Sequence, residues 1–499
     1  MAKPTRARQI EKILDENNAR RVAVIFQVVP QGLCDAAAET ARYLGEIRSL
    51  TRARDLLPEH RGPHRKARPA SKSKAAEREQ RVADARTVGA KSLRVLQESS
   101  VLGASRLARQ GAARSVPQIF ELAGAAALEV DRDDLVALES SLPPQVSVHP
   151  NRRITLPPRM QSRDVPAQVE RRSSHAWGID KTGALACWGA FGARGKGVQV
   201  AVLDTGVNAD HPDLAARVKK FAEIGANGKI VRQGVKEARD EGGHGTHVCG
   251  TIAGGRASGR WIGMAPEADL LACKVLGRMG GYDSQIIAGI EWAITNGADV
   301  INMSLGGVSW EPDVLDTYSG AILAAHNAGA AVVAAIGNEG QQTSGSPAND
   351  VFALAVGATD FLDGIAAFSG GRTQVIQNSS YVDPSVLPFV YSKPDLCAPG
   401  VDVYSCVGKG SWGYESGTSM ACPHVTGAAA LLLSRVDGAT DSDLRLTTGR
   451  DRVATLHALL LGAVHELGEN GQDHRYGWGR LNVLSAYAAG VERGLLNLG

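Results

Sequence analysis

The stretch VQVAVLDTG, from Val198 to Gly206, decides the fold. An almost unbroken apolar run ends on Asp204 and a Thr-Gly turn, the pattern of a strand buried on both faces. Similar runs recur downstream as ADLLACKVL (268–276), DVINMSL (299–305), AAVVAAI (330–336) and ALAVGA (353–358). The segments at about 213–221, 283–297 and 313–329 carry apolar residues at helical spacing. Buried strands alternating with helices predict an α/β fold, a doubly wound, mostly parallel sheet with helices on both faces. In such sheets ligands bind beyond the carboxyl ends of the strands.

Four motifs fall where that rule points. Asp204 ends the first strand. His244 sits in GGHGTHVCG, where glycines free the backbone ahead of a helix. Asn338 lies in AAIGNEG, just past the fourth strand. Ser419 sits in SGTSMACPHV, entering a helix that continues through AAALLLS. The residue types form one chemical set. A serine hydroxyl is a weak nucleophile until an imidazole takes its proton, and the imidazole needs a carboxylate to fix its tautomer. A tetrahedral oxyanion needs preorganised donors, which an Asn amide and a helix N-terminal N–H supply. Each motif alone has a blander reading: a strand-ending turn, a common GNEG turn, an N-cap serine. Together they do not.

These motifs resemble the subtilisin-like serine peptidases (subtilases). VAVLDTGV, GHGTHVCGTIAG, GNEG and GTSMACPHVTGAAALL match that family's Asp, His, oxyanion-Asn and Ser motifs in sequence and order, and DVINMSLGG, KPDLCAPGVDVYS and RYGWGRLNV match supporting blocks. The resemblance spans roughly 174–490 and implies a serine endopeptidase working through an acyl-enzyme. It implies catalytic roles for Asp204, His244 and Ser419, an oxyanion hole that includes Asn338, and a cleft in which Ser304, Leu305 and Gly306 pair with substrate backbone. The alternative is a catalytically silent subtilase-fold binding protein, disfavoured because every catalytic position is filled. The chemistry needs no cofactor. H-G-T-H lacks the helix-borne H-E-x-x-H arrangement of zinc sites. The family's calcium loop after the His motif reads GGRASGRW here, with Arg256 and Arg260 and no acid, so structural calcium is not assigned. His247, His424, Cys249 and Cys422 are read as packing residues, and Glu339 as a rim residue of the pocket for the side chain preceding the scissile bond.

The N-terminal part differs in character. Residues 1–150 carry 25 Lys+Arg against 18 Asp+Glu, a net of +7; the rest carry 30 against 34, a net of −4. RVAVIFQV (21–28) is a strand, 35–48 and 83–110 read as helices, and 52–86 as a polar basic insertion without fixed structure. Gln118–Leu122 and Ala125–Val130 read as a hairpin, Asp131–Ser140 as a helix, and Val146–Val148 with Ile154–Leu156 as a final strand. This β-α-β-β-α-β order predicts a small α+β ferredoxin-like domain over 1–156. IFELAGAAALEVDRDDLVALESS and VSVHPNRRI are similar to subtilase inhibitory propeptides. The resemblance implies an intramolecular inhibitor, a linker and processing region at 157–173, and a peptidase domain over 174–492. The basic insertion lacks interleaved aromatics, so no nucleic-acid partner is read; the expected partners are peptide or protein substrates and the chain's own N-terminal domain.

Seven cysteines without C-x-x-C spacing point to a reducing compartment. The first apolar run, Val22–Val29, is too short to span a bilayer, and the N-terminus carries no signal-peptide pattern. A cytoplasmic location follows as the expectation, with non-classical export as its alternative. Oligomeric state, physiological substrate and side-chain preference are not legible.

Overall fold

The computed structural model describes residues 5–16, 19–28, 52–58, 74–98, 117–139, 141–143, 145–156 and 173–498. Its centre is an eight-stranded sheet in the order Leu396–Pro399, Leu354–Thr359, Ala331–Ala335, Val300–Met303, Gln199–Asp204, Asp269–Lys274, Val218–Ile224 and Ile230–Gln233. Every neighbouring pair is parallel except the last, an antiparallel edge. Side chains alternate across the strand that ends in Asp204. Val200 and Val202 enter a core with Val248, Ile252 and Val425, from the helices that begin at His244 and Thr418. Ala201 and Leu203 enter the opposite core with Ile286, Ile290 and Ile322, from the helices Asp283–Thr295 and Ser319–Asn327. The sheet is thus covered on both faces, which is why its strands read as continuous apolar runs.

One predicted helix is a strand. Residues 213–221 form a turn followed by Val218–Ile224, which runs parallel to Asp269–Lys274. A register shift between Val218 and Lys220 breaks the two-residue alternation, and the remaining spacing of Leu214, Val218, Phe221 and Ala222 mimics a helix. The helix expected over 313–329 is confined to Ser319–Asn327.

The N-terminal segment forms a four-stranded antiparallel sheet in the order Gln118–Phe120, Ala125–Asp131, Arg21–Val28, Val146–Pro150. One face packs Val22, Val24, Phe26, Leu128 and Val148 against Ile10, Leu96 and Leu135 from its own helices. From the other face and the hairpin, Ile25, Phe120 and Leu122 enter the core beneath the helices Asp283–Thr295 and Ser319–Asn327. Glu291 clamps the hairpin turn, its Oε1 accepting from Leu122 N at 2.5 Å and Ala123 N at 3.0 Å. Burial pushes the Glu291 carboxyl up to about 7, against the pull of these bonds.

Three N-terminal expectations change. A helix runs over Lys74–Glu98, so it includes part of the stretch read as unstructured, while residues 99–110 of the expected helix lie outside the described residues. Ala53 and Leu56 of that stretch pack on Trp478 in a short turn. The expected final strand is split: Val146–Pro150 completes the N-terminal sheet, whereas Arg153–Ile154 pairs antiparallel with Gly281–Tyr282, and Thr155 bridges Gly306. The expected helix at 35–48 and the linker at 157–172 lie outside the described residues. No helix among the described residues is long and apolar enough to cross a membrane.

Candidate active site

Asp204 and His244 pair directly, and Asp204, Asn338 and Ser304, the last bonded to Ser419, lie at or just past the carboxyl ends of the central strands. Asp204 is fully buried, and its Oδ1 accepts from Thr205 N at 2.7 Å and pairs with His244 Nδ1 at 2.8 Å. The approach depends on two glycines. A Cβ at Gly245 would lie 2.1 Å from Gly206 O, and one at Gly206, whose φ is +117°, would lie 1.9 Å from Arg239 O. A side chain at Gly245 would push the His helix away from the Asp strand, and one at Gly206 would push away the Arg239–Asp240 turn that leads into that helix.

The His helix, His244–Ala253, is anchored by an acid that the motif reading passed over. Asp240 Oδ1 accepts from Gly243 N and Thr205 Oγ1, both at 2.8 Å. Its Oδ2 accepts from Thr246 N at 2.8 Å and Thr246 Oγ1 at 2.6 Å. Burial alone would raise this carboxyl, but these bonds hold it below the usual range. The signal was present as an acid four residues before His244, at the mouth of a glycine-led helix.

Burial works against protonating His244, but the Asp204 charge and hydrogen bond outweigh it, helped by Glu415 and Asp240. The imidazole is therefore held above its ordinary 6.5. A ring anchored at Nδ1 by a carboxylate presents Nε2 as its second nitrogen, the arrangement a general base needs.

Ser419 is the second residue of the helix Thr418–Leu432 and is 2% exposed. Its hydroxyl donates to Ser304 O at 3.2 Å. Ser304 Oγ donates back to Ser419 O at 2.9 Å and accepts from Asn302 Nδ2 at 3.0 Å. Thr426 Oγ1 completes this buried network by donating to Asn302 Oδ1 at 2.8 Å. Asn302 and Thr426 were not singled out in the sequence, where each sits inside an apolar run. The Asn338 amide is oriented by Thr418, whose N and Oγ1 donate to Asn338 Oδ1 at 2.8 and 2.9 Å. Its Nδ2 lies over Gly417, 3.0 Å from where a Cβ would stand. Glu339 Oε2 accepts from Asn338 N at 2.9 Å, so this acid steadies the Asn338 backbone.

The matched family model is the subtilase family, over residues 195–479. The chain belongs to the subtilase family. It is 37% identical to subtilisin E of Bacillus subtilis (strain 168) over 300 residues, 59% of this chain and 67% of that protein. Identity to a subtilisin of Bacillus pumilus is 36% over 300 residues, covering 92% of that protein. An intracellular serine protease of Paenibacillus polymyxa is 38% identical over 274 residues, 54% of this chain and 75% of that protein. This subtilase is accordingly a subtilisin-like serine endopeptidase.

The neighbouring groups in this subtilase behave as structural residues. His247 Nε2 bonds Val403 O at 3.0 Å, and His424 Nδ1 bonds Met420 O at 2.8 Å, with burial pushing His424 down to about 4. Cys249 and Cys422 are buried; burial raises both thiols, Cys422 to about 12, so neither is a ready nucleophile. His211, Asp213 and Cys406 offer three ligand atoms within 4.8 Å of one another. Protein donors already use both Asp213 oxygens: Ala257 N donates to Oδ1 at 2.6 Å and Trp412 Nε1 to Oδ2 at 2.7 Å. His211 is likewise occupied, by Ser411 O at Nε2 and Asp213 N at Nδ1. The cluster is a hydrogen-bonded brace.

Proposed function

We propose that Ser419 attacks the scissile carbonyl, that His244 takes its proton and returns it to the leaving amine, and that Asp204 orients and charge-balances the ring. Asn338 Nδ2 and the Ser419 N–H hold the tetrahedral oxyanion. The observation that carries this reading is the buried 2.8 Å Asp204–His244 pair, whose His helix packs against the helix that carries Ser419 at its N-terminus. The Ser419 hydroxyl now donates to Ser304 O; a rotation about its side-chain bond would turn it toward the imidazole when substrate arrives. Labelling by a serine-directed fluorophosphonate, absent in Ser419→Ala, tests the assignment; labelling that persists in the variant would overturn it.

The N-terminal segment is read as an inhibitor of its own peptidase. We propose a propeptide-type module over 1–156, a processing region at 157–173 and a peptidase domain over 174–492. What supports this is the pairing of Arg153–Ile154 with Gly281–Tyr282 and of Thr155 with Gly306. A peptide adding a strand to Ser304, Leu305 and Gly306 would follow that path. N-terminal sequencing of wild type and Ser419→Ala checks self-processing; the same new terminus in both would exclude it. No cofactor enters the chemistry, and no calcium site is proposed. The described cysteines are all free, in keeping with work in a reducing compartment.

Two outcomes follow from the site. Asn338→Leu is expected to lower kcat by about 10²- to 10³-fold with little change in KM, because the lost donor acts on the oxyanion and not on bound substrate. The pH profile of kcat/KM is expected to fall on the acid side with its midpoint above 6.5. The neutral imidazole is the base, and raising its pKa means it is protonated, and inactive, at higher pH. Steady-state kinetics on a peptide substrate measure both.

A further inference from the structure

Asp283 takes no part in the chemistry above, yet it is completely buried beside the cleft, as the first residue of the helix Asp283–Thr295. A buried carboxylate needs a cation and donors. Arg152, from the N-terminal segment, supplies most of them. Asp283 Oδ2 accepts from Arg152 N at 2.7 Å and from Nε at 3.0 Å, and Oδ1 lies 3.4 Å from Nη2. The Tyr318 hydroxyl donates to Oδ1 at 2.5 Å, and Ser346 Oγ accepts from Arg152 Nη2 at 3.2 Å. Asp283 N in turn donates to Arg152 O at 3.0 Å. The acid thus meets the guanidinium at two nitrogens and the main chain at a third point. Among the described residues, Arg152 is its ion-pair partner.

Once that arginine leaves, the subtilase would keep an acid, a tyrosine and a serine shaped around a guanidinium. We propose that Asp283, Tyr318 and Ser346 form a subsite selective for an arginine side chain of peptide substrates, filled by Arg152 in the undisplaced chain. The proposal rests on the reading that residues 153–155 follow the substrate's path. Antiparallel pairing to Gly306 then fixes the position. A substrate residue facing Gly306 is two residues before the one facing Ser304, whose carbonyl bonds the Ser419 hydroxyl. Arg152 lies three residues before Thr155, so the selected arginine is the sixth residue before the scissile bond. Lysine is a weaker fit, because a point charge on a flexible stem cannot meet Asp283 through two nitrogens held in one plane.

Binding tests this without turnover. The full chain carrying Ser419→Ala and Arg152→Ala, which removes the arginine side chain from Asp283, is titrated with fluorescent peptides differing only at the sixth residue before the bond. Every peptide must displace residues 153–155, a cost common to the series, so the ratio of affinities is what is read. Arginine is expected to bind at least about tenfold tighter than alanine, with lysine between them. Adding Asp283→Asn, close to isosteric, is expected to bring arginine and alanine within about twofold, and Tyr318→Phe to narrow the gap partly. Equal affinities before Asp283 is changed would overturn the proposal, and so would an arginine preference that survives Asp283→Asn. Failure of the Arg152→Ala chain with Ser419 intact to cleave any peptide would count against the peptidase assignment and leave the affinity comparison standing.

Discussion

Ser419→Ala is expected to lower kcat by about 10⁶-fold, the scale a subtilisin shows when its nucleophile is removed. The substitution deletes one oxygen whose single hydrogen bond, 3.2 Å to Ser304 O, does little for stability. Melting temperature should therefore stay near wild type while turnover collapses. Residual activity of about 10³- to 10⁴-fold over water is expected, from the oxyanion donors and substrate binding. Stopped-time assays with a peptide substrate, beside a thermal melt, make the comparison. A variant that retained a tenth of its kcat would remove Ser419 from the mechanism, and a variant that unfolded would make the serine a packing residue.

Asp204→Ala is expected to cost about 10⁴-fold in kcat, less than the serine, because the imidazole is still present but neither oriented nor charge-balanced. The loss carries a signature that a packing defect would not produce. The Asp204 charge and hydrogen bond are what lift His244 above 6.5 against burial, so removing them lets burial dominate and the imidazole pKa falls. The acid limb of kcat/KM should then move to lower pH even as the plateau drops. An unmoved limb would mean that Asp204 does not set the titration of the base. Deleting the carboxylate also strips Thr205 N of its acceptor, so some loss of stability accompanies the kinetic effect.

Asp204, His244, Asn338 and Ser419 were legible because each sits in a glycine-punctuated turn after a strand or before a helix, a pattern local enough to survive in one dimension. Asp240 was partly legible, since an acid beside a helix start has a known use, but its five bonds cross from a turn to a strand end and a helix. Asn302 and Thr426 were hidden inside apolar runs; only folding sets them on facing elements 124 residues apart, where they meet beneath Ser419. The strand Val218–Ile224 was misread because its register shift disguises the alternation.

The N-terminal charge excess marked a separate segment, but charge alone carries no register. The sequence alone sufficed for the α/β class, five of the buried strands and the four catalytic candidates, because apolar periodicity and turn glycines are local consequences of backbone geometry. The tertiary structure decided what depends on distance. It set a 2.8 Å contact between residues 40 apart, the crossing of Arg153–Ile154 from one sheet to another, and the pairing of Arg152 with Asp283 across 131 residues. Those contacts arise where separate elements pack, and no window along the chain contains both partners.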